Sequence, residues 1–140
     1  METRVKILID LNIILDVLQK RLPFYEASAR VLAAVETGKL DGFVAAHSIT
    51  TLFYLLAKAQ SAQSARIIIT DLLQFLSVAS VNQVTLEQAL NLPYEDFEYA
   101  IQMMAAVQVG AEYVITRNPQ DYRSGPIPAV QPAEFLPLIQ

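Results

Sequence analysis

The stretch VKILIDLNIILDVL, Val5 to Leu18, most narrows what this chain can fold into. Its first half is a β-branched apolar run (Val5, Ile7, Ile9) that ends on a carboxylate, Asp10, and a helical pattern begins within two residues. A run this short suits one strand buried on both faces and falls below the roughly 18 apolar residues that a membrane span requires. It predicts the central strand of a parallel sheet, with Asp10 at the carboxyl end, where open α/β sheets place their ligands. Asn12 is a candidate cap for the following helix, and Asp16 lies one turn beyond Asn12 on roughly the same face. Taken alone, the stretch is explained equally well as a strand stop and a helix start.

The same alternation recurs along the chain. Helices are predicted over Asn12 to Arg21, Phe24 to Glu36 with an apolar stripe of Ala27, Val31, Leu32 and Val35, and a segment capped by Ser48 or Thr50. Further helices are expected over Ser64 to Leu73, in LEQALNL with Thr85 as cap and Gln88 completing a capping box, and over Tyr94 to Val109. Strands are expected at Gly42 to Ala46, Phe75 to Ala79 and Ala111 to Thr116, with a short edge strand at Ile127 to Val130, where proline is tolerated. Four or five strands with helices between them predict a three-layer α/β domain with a mostly parallel sheet and right-handed crossovers. No linker divides the chain and no repeat is visible, so residues 1–140 read as one domain.

Composition narrows the chemistry. The chain is 54% apolar and 17% charged, enough for a sizeable core and for an apolar partner surface. A net charge of -4 argues against a broad basic face for long nucleic acid, but leaves room for a carboxylate cluster that approaches phosphate through a divalent ion. There is no cysteine, and HExxH, GxGxxG and GxxxxGK[ST] are absent, which removes thiolate, zinc-peptidase, dinucleotide and P-loop readings. The single histidine, His47, reads as structural or surface. With no apolar span and no basic leader, a cytoplasmic location without membrane association is expected.

Two further acidic places follow the same local rule as Asp10. The EDFE run, Glu95 to Glu98, sits near a helix start, where first-turn amides favour negative side chains. Asp121 follows the YVIT strand and the turn-like RNPQ. Parallel neighbouring strands would bring Asp10 and Asp121 to one sheet edge, with Asp96 near them, where three carboxylates could surround a hard cation. Helix-start electrostatics and a turn residue explain the second and third places separately.

These segments, with HSITTLFYLLAK, LPYEDFEYAIQMMAAVQVGAEYVITRNPQDY and the tail SGPIPAVQPAEFL, resemble the PIN domain, a metal-dependent ribonuclease fold also used by the toxins of bacterial toxin–antitoxin pairs. The resemblance covers almost the whole chain. It implies Mg²⁺ or Mn²⁺ as cofactor, RNA as substrate, metal-holding and catalytic roles for Asp10, Asp96 and Asp121, a homodimer, and an antitoxin-like protein partner. In the opening motif Asp10, Asn12 and Asp16 match, while Leu11 replaces a hydroxyl residue. Thr51 stands where the family puts Asp or Glu, and Tyr99 stands at the metal carboxylate of a DFEDA-like pattern. Asp96 and Glu95 lie about one turn before Tyr99 and could partly replace the lost acid. Arg117 and Asn118 could meet phosphate, although an Asn-Pro turn also explains Asn118. With two of four acidic positions altered, the alternative to a ribonuclease is a catalytically degenerate PIN-fold module that binds protein or RNA.

Overall fold

The computed structural model describes residues 3–139. The chain runs β1 (Val5–Ile9), α1 (Leu11–Leu18), α2 (Tyr25–Glu36), β2 (Leu40–Ala45), α3 (Ala46–Ala59), α4 (Ala62–Leu72) and β3 (Ser77–Ala79). It continues through α5 (Gln83–Ala89), α6 (Phe97–Val109), β4 (Tyr113–Ile115), a 3-10 turn (Pro119–Tyr122), β5 (Ala129–Val130), α7 (Pro132–Phe135) and a closing 3-10 turn (Leu136–Ile139). The five strands form one sheet in the order β3-β2-β1-β4-β5, and every pairing is parallel. This is the predicted three-layer α/β domain with β1 at its centre.

Alternation along the strands divides the core into two layers. Ile7, Ile9, Val44 and Ile115 face a cluster completed by Val31, Leu32 and Val35 of α2, Leu52 and Leu56 of α3, and Phe135 of α7. Leu8, Ala45, Ala79 and Val114 face the other way, onto Met103, Ala105 and Ala106 of α6. Burying each large aliphatic side chain contributes about 1.5–3 kcal/mol. Both faces of β1 are covered, which is why its sequence is a continuous apolar run rather than an alternating one. The predicted α2 stripe is the buried one, apart from Ala27, which is only half-buried. Gly42 is required by packing: a Cβ there would meet both γ-methyls of Val35 at 2.8 Å.

The helix starts differ from expectation, each for a local reason. α1 begins at Leu11, one residue early, with Asp10 rather than Asn12 at its N-cap; the Asp10 side chain makes no cap bond. α3 follows β2 without a loop, so its N-cap is Ala45; Ser48 is buried inside it and Thr50 Oγ1 donates back to the His47 carbonyl at 2.8 Å. In α5, Asn82 is the N-cap and Thr85 is its reciprocal partner: Thr85 N–H donates to Asn82 Oδ1 at 3.1 Å, and Asn82 N–H donates to Thr85 Oγ1 at 3.2 Å. α6 starts at Phe97, not Tyr94, with Asp96 as N-cap accepting from Glu98 N–H at 2.9 Å. It ends as predicted at Gly110, whose φ of +76° is the left-handed conformation glycine tolerates best.

Candidate active site

From β1 the chain moves outward to β2 and β3, then crosses back to β4 and β5 on the other side. The order therefore reverses between β1 and β4, and the carboxyl ends of these strands form the crevice where such sheets bind ligands. Asp10 emerges there. Ile9 pairs with Ile115, and Asp10 N–H donates to the Ile115 carbonyl at 3.0 Å, so Thr116 lies directly beside Asp10.

Asp10 is buried, with 4% of its surface exposed. Its Oδ2 accepts hydrogen bonds from Thr116 Oγ1 at 2.9 Å and from Tyr122 OH at 3.3 Å. Those two hydroxyls explain how a carboxylate persists at the edge of the core and why it does not cap α1. Burial, and next the Asp10 charge, push the Tyr122 phenol well above its ordinary range, so it stays protonated and donates. Asp121, the neighbour of Tyr122 in the 3-10 turn, is half-buried. Asn118 opens that turn: its N–H donates to Thr116 Oγ1 at 3.1 Å and its carbonyl accepts from Asp121 N–H at 3.0 Å. Asn118 thereby places the acid.

Asp96 and Asp121 line one cleft of about 350 Å³, together with Glu95, Tyr99 and Arg123. Tyr99 stands against Tyr122 edge to face, with ring centroids 5.0 Å apart and planes at 72°. Burial raises the Tyr99 phenol above its ordinary value, and the charges of Asp121, Asp10 and Asp96 raise it further. Asp96 and Asp121 thus share their cleft with this phenol, while Asp10 reaches it through Tyr122. Among the described residues, no group of three or more His, Cys, Asp or Glu side chains converges into a cage for a metal ion. Mg²⁺ does not require such a cage: it is commonly bound through one or two carboxylates, with water and substrate phosphate completing the shell. Thr116 and Tyr122 engage only Oδ2 of Asp10, which leaves its Oδ1 available to a cation bound in that way.

The remaining candidates fall around this centre. Asn12 is half-buried in the first turn of α1, while Glu95 and Thr51 are exposed. Thr51 Oγ1 lies 3.4 Å from the His47 carbonyl, its acceptor within α3. Asp16 is completely buried and neither carboxylate oxygen has a hydrogen-bond partner. Arg117 Nε lies 3.3 Å from its Oδ2, and Arg21 lies 3.9 Å from its Oδ1. Burial raises the Asp16 carboxyl above its usual value, opposed by Arg117 and Arg21. The Arg117 guanidinium also stacks over Phe24, 4.5 Å from the ring centroid. His47 Nε2 is 3.7 Å from Glu98 Oε1, joining α3 to the start of α6; burial lowers the His47 value and Glu98 opposes that.

Sequence reasoning missed Thr116 and Tyr122 as the donors that hold Asp10, and Glu98 as the partner of His47. The signal for Thr116 was its position: a hydroxyl residue ending the strand that pairs with β1.

Residues 6–120 match the PIN domain family. The ribonuclease VapC1 of Aquifex aeolicus (strain VF5) is 23% identical over 135 residues, covering 93% of this chain and 92% of that protein. A toxin–antitoxin complex from Klebsiella pneumoniae has a similar structure, with a TM-score of 0.68 and 22% identity over 89% of this chain and 96% of that one. Mycobacterium tuberculosis VapC20, a sarcin–ricin loop cleaving toxin, gives a TM-score of 0.60 and 15% identity over 77% of this chain and 86% of its own. These structural likenesses show a shared fold.

Proposed function

The chain belongs to the PIN domain family, and from that premise we propose that it is a divalent-metal-dependent ribonuclease with a reduced site, in which Asp10 and Asp121 hold Mg²⁺ or Mn²⁺. The observation that carries this reading is Asp10: a buried carboxylate at the point where the sheet order reverses, fixed by Thr116 and Tyr122 through one oxygen. When bound, the ion would supply water activation and charge stabilisation at the scissile phosphate. Thr116 and Tyr122 orient Asp10, Asn118 sets the turn that carries Asp121, and Asp96 offers an auxiliary carboxylate from the N-cap of α6. Asn12, in the first turn of α1, is placed to orient water or substrate. With a net charge of -4, the protein relies on the ion rather than on a basic face to approach RNA.

A binding-only scaffold is the second reading, and Tyr99 at an acidic position of the family pattern favours it. One experiment separates the two: RNA cleavage across a Mg²⁺ and Mn²⁺ titration, with Asp10→Ala prepared identically. Metal-dependent cleavage abolished by the substitution supports the ribonuclease. RNA or protein binding without cleavage selects the scaffold.

We also propose a protein partner of the antitoxin kind, in keeping with the toxin–antitoxin complex of similar fold, and self-association as a dimer. Tyr54 on α3 and Ile67 on α4 are exposed at 62% and 56%, apolar surface that such association would cover. Among the described residues no helix is long and apolar enough to cross a membrane.

A further inference from the structure

We propose that Tyr94 is a positioning residue for the site: its hydroxyl locks the turn that follows β4, and so fixes both Asp121 and the Tyr122 hydroxyl that orients Asp10. The functional half of this inference rests on the ribonuclease reading above; the lock itself does not.

Tyr94 lies two residues before the N-cap of α6, and its hydroxyl donates to the Tyr122 carbonyl at 2.8 Å. Its ring packs against the core layer that contains Met103 and Tyr122. The bond joins the two walls of the cleft, one lined by Tyr94, Glu95 and Asp96 and the other by Gln120, Asp121 and Arg123. Tyr122 is thereby held at both ends: its carbonyl accepts from Tyr94, and its hydroxyl donates to Asp10 Oδ2 at 3.3 Å. Asp121 sits between that anchor and the one at Asn118, whose carbonyl accepts its N–H at 3.0 Å.

The local sequence is built around this bond. Gly125 N–H donates to the Tyr122 carbonyl at 3.3 Å, Arg123 has φ -63° and ψ 153°, and Ser124 has φ +65°. These are the corners of a type II turn, whose third position favours glycine. The chain instead places serine at that corner and its glycine one residue later, where φ is not positive. Space explains the choice: a Cβ on residue 125 would collide with the Tyr94 hydroxyl and come within 2.6 Å of Met103 Cε. Gly125 therefore makes room for the hydroxyl rather than relieving the backbone. A turn with a left-handed serine persists only where its surroundings hold it, and the Tyr94 bond supplies such a hold from outside the turn.

The test is amide hydrogen exchange by nuclear magnetic resonance on the full chain, on Tyr94→Phe, on Gly125→Ala and on the two combined, with the Mn²⁺ dependence of RNA cleavage measured on the same preparations. Tyr94→Phe should speed exchange at Asp121 and Gly125 by about fivefold, the effect of one hydrogen bond, and leave the amides of β1 unchanged. It should also raise the Mn²⁺ concentration for half-maximal cleavage by about fivefold with little change in kcat. A merely structural role would lower kcat through lost active protein and leave the metal requirement alone. Gly125→Ala should match Tyr94→Phe by expelling the hydroxyl. The combined variant should exchange about as fast as either single one, not at the about 25-fold product of independent changes. Exchange in Tyr94→Phe equal to wild type at Asp121 and Gly125 overturns the inference, even where cleavage is metal-dependent and the ribonuclease reading stands. Faster exchange with an unmoved Mn²⁺ requirement also overturns it. If wild type cleaves no RNA at any Mn²⁺ concentration, the ribonuclease reading falls and exchange alone decides whether Tyr94 holds the turn. Should Gly125→Ala fail to fold, Tyr94→Phe decides.

Discussion

Replacing Arg117 by methionine should expose how much a buried charge depends on its partner. Asp16 has no surface exposure and no hydrogen bond, so its ionised form relies on Arg117 at 3.3 Å and Arg21 at 3.9 Å. Breaking a buried pair by removing one partner typically costs about 3–5 kcal/mol. Arg21 remains within reach, and Asp16 can take up a proton, so the expected cost lies near the lower figure, about 3 kcal/mol. Loss of the stack on Phe24 adds about 0.5–1 kcal/mol. The assay is a double-mutant cycle by urea denaturation, with Arg117→Met, Asp16→Asn and the pair combined. The combined variant lacks the stranded carboxylate and should recover about 3 kcal/mol of the single-variant loss, keeping only the stacking deficit. A loss below about 1 kcal/mol in Arg117→Met, or a combined variant no more stable than Arg117→Met, would refute the claim that Arg117 compensates Asp16. The sign with pH follows from the raised Asp16 value: the native protein favours the protonated form, so this contribution is fully present below the unfolded value of 3.8 and is lost as pH rises through the folded one. Asp16→Asn should remove that component from a pH series.

Thr116→Val should cost about 1.5–3 kcal/mol in urea denaturation, since it deletes a hydroxyl donor to the buried Asp10 carboxylate while keeping side-chain volume. His47 has a lowered value, so its stabilising contribution is present above the unfolded 6.5 and is lost as pH falls through the folded value; a His47→Gln comparison of urea midpoints from pH 8 to pH 5 should show a flatter profile than wild type over that window.

The central strand and its acid were legible because burial on both faces leaves a sequence mark: Val5–Ile9 and Tyr113–Ile115 are short apolar runs, and each leads into the crevice that holds Asp10 and Asp121. Helix caps were read less well because Ser, Thr and Asp serve two competing purposes. Thr85 looked like a cap and is the reciprocal partner of Asn82, while Asp10 occupies a cap position yet spends its side chain on Thr116 and Tyr122. The joining of His47 to Glu98 and of Asp16 to Arg117 was not legible, since each pair is brought together only by the packing of separate elements. Tyr99 could be flagged by resemblance alone; that it shares a cleft with Asp96 and Asp121 and packs on Tyr122 is seen only in the folded chain.

The bond from Tyr122 to Asp10 spans 112 positions of sequence, and the one from Thr116 spans 106. During synthesis, Asp10 is made early while its two hydroxyl partners and Asp121 are among the later residues to emerge. A nascent chain that stops before β4 therefore has no partner for the carboxyl end of β1 on that side, and it lacks half of the proposed site. The carboxyl end of β1 is therefore completed only once the chain has been made through Tyr122, which couples assembly of the proposed site to near-completion of the fold.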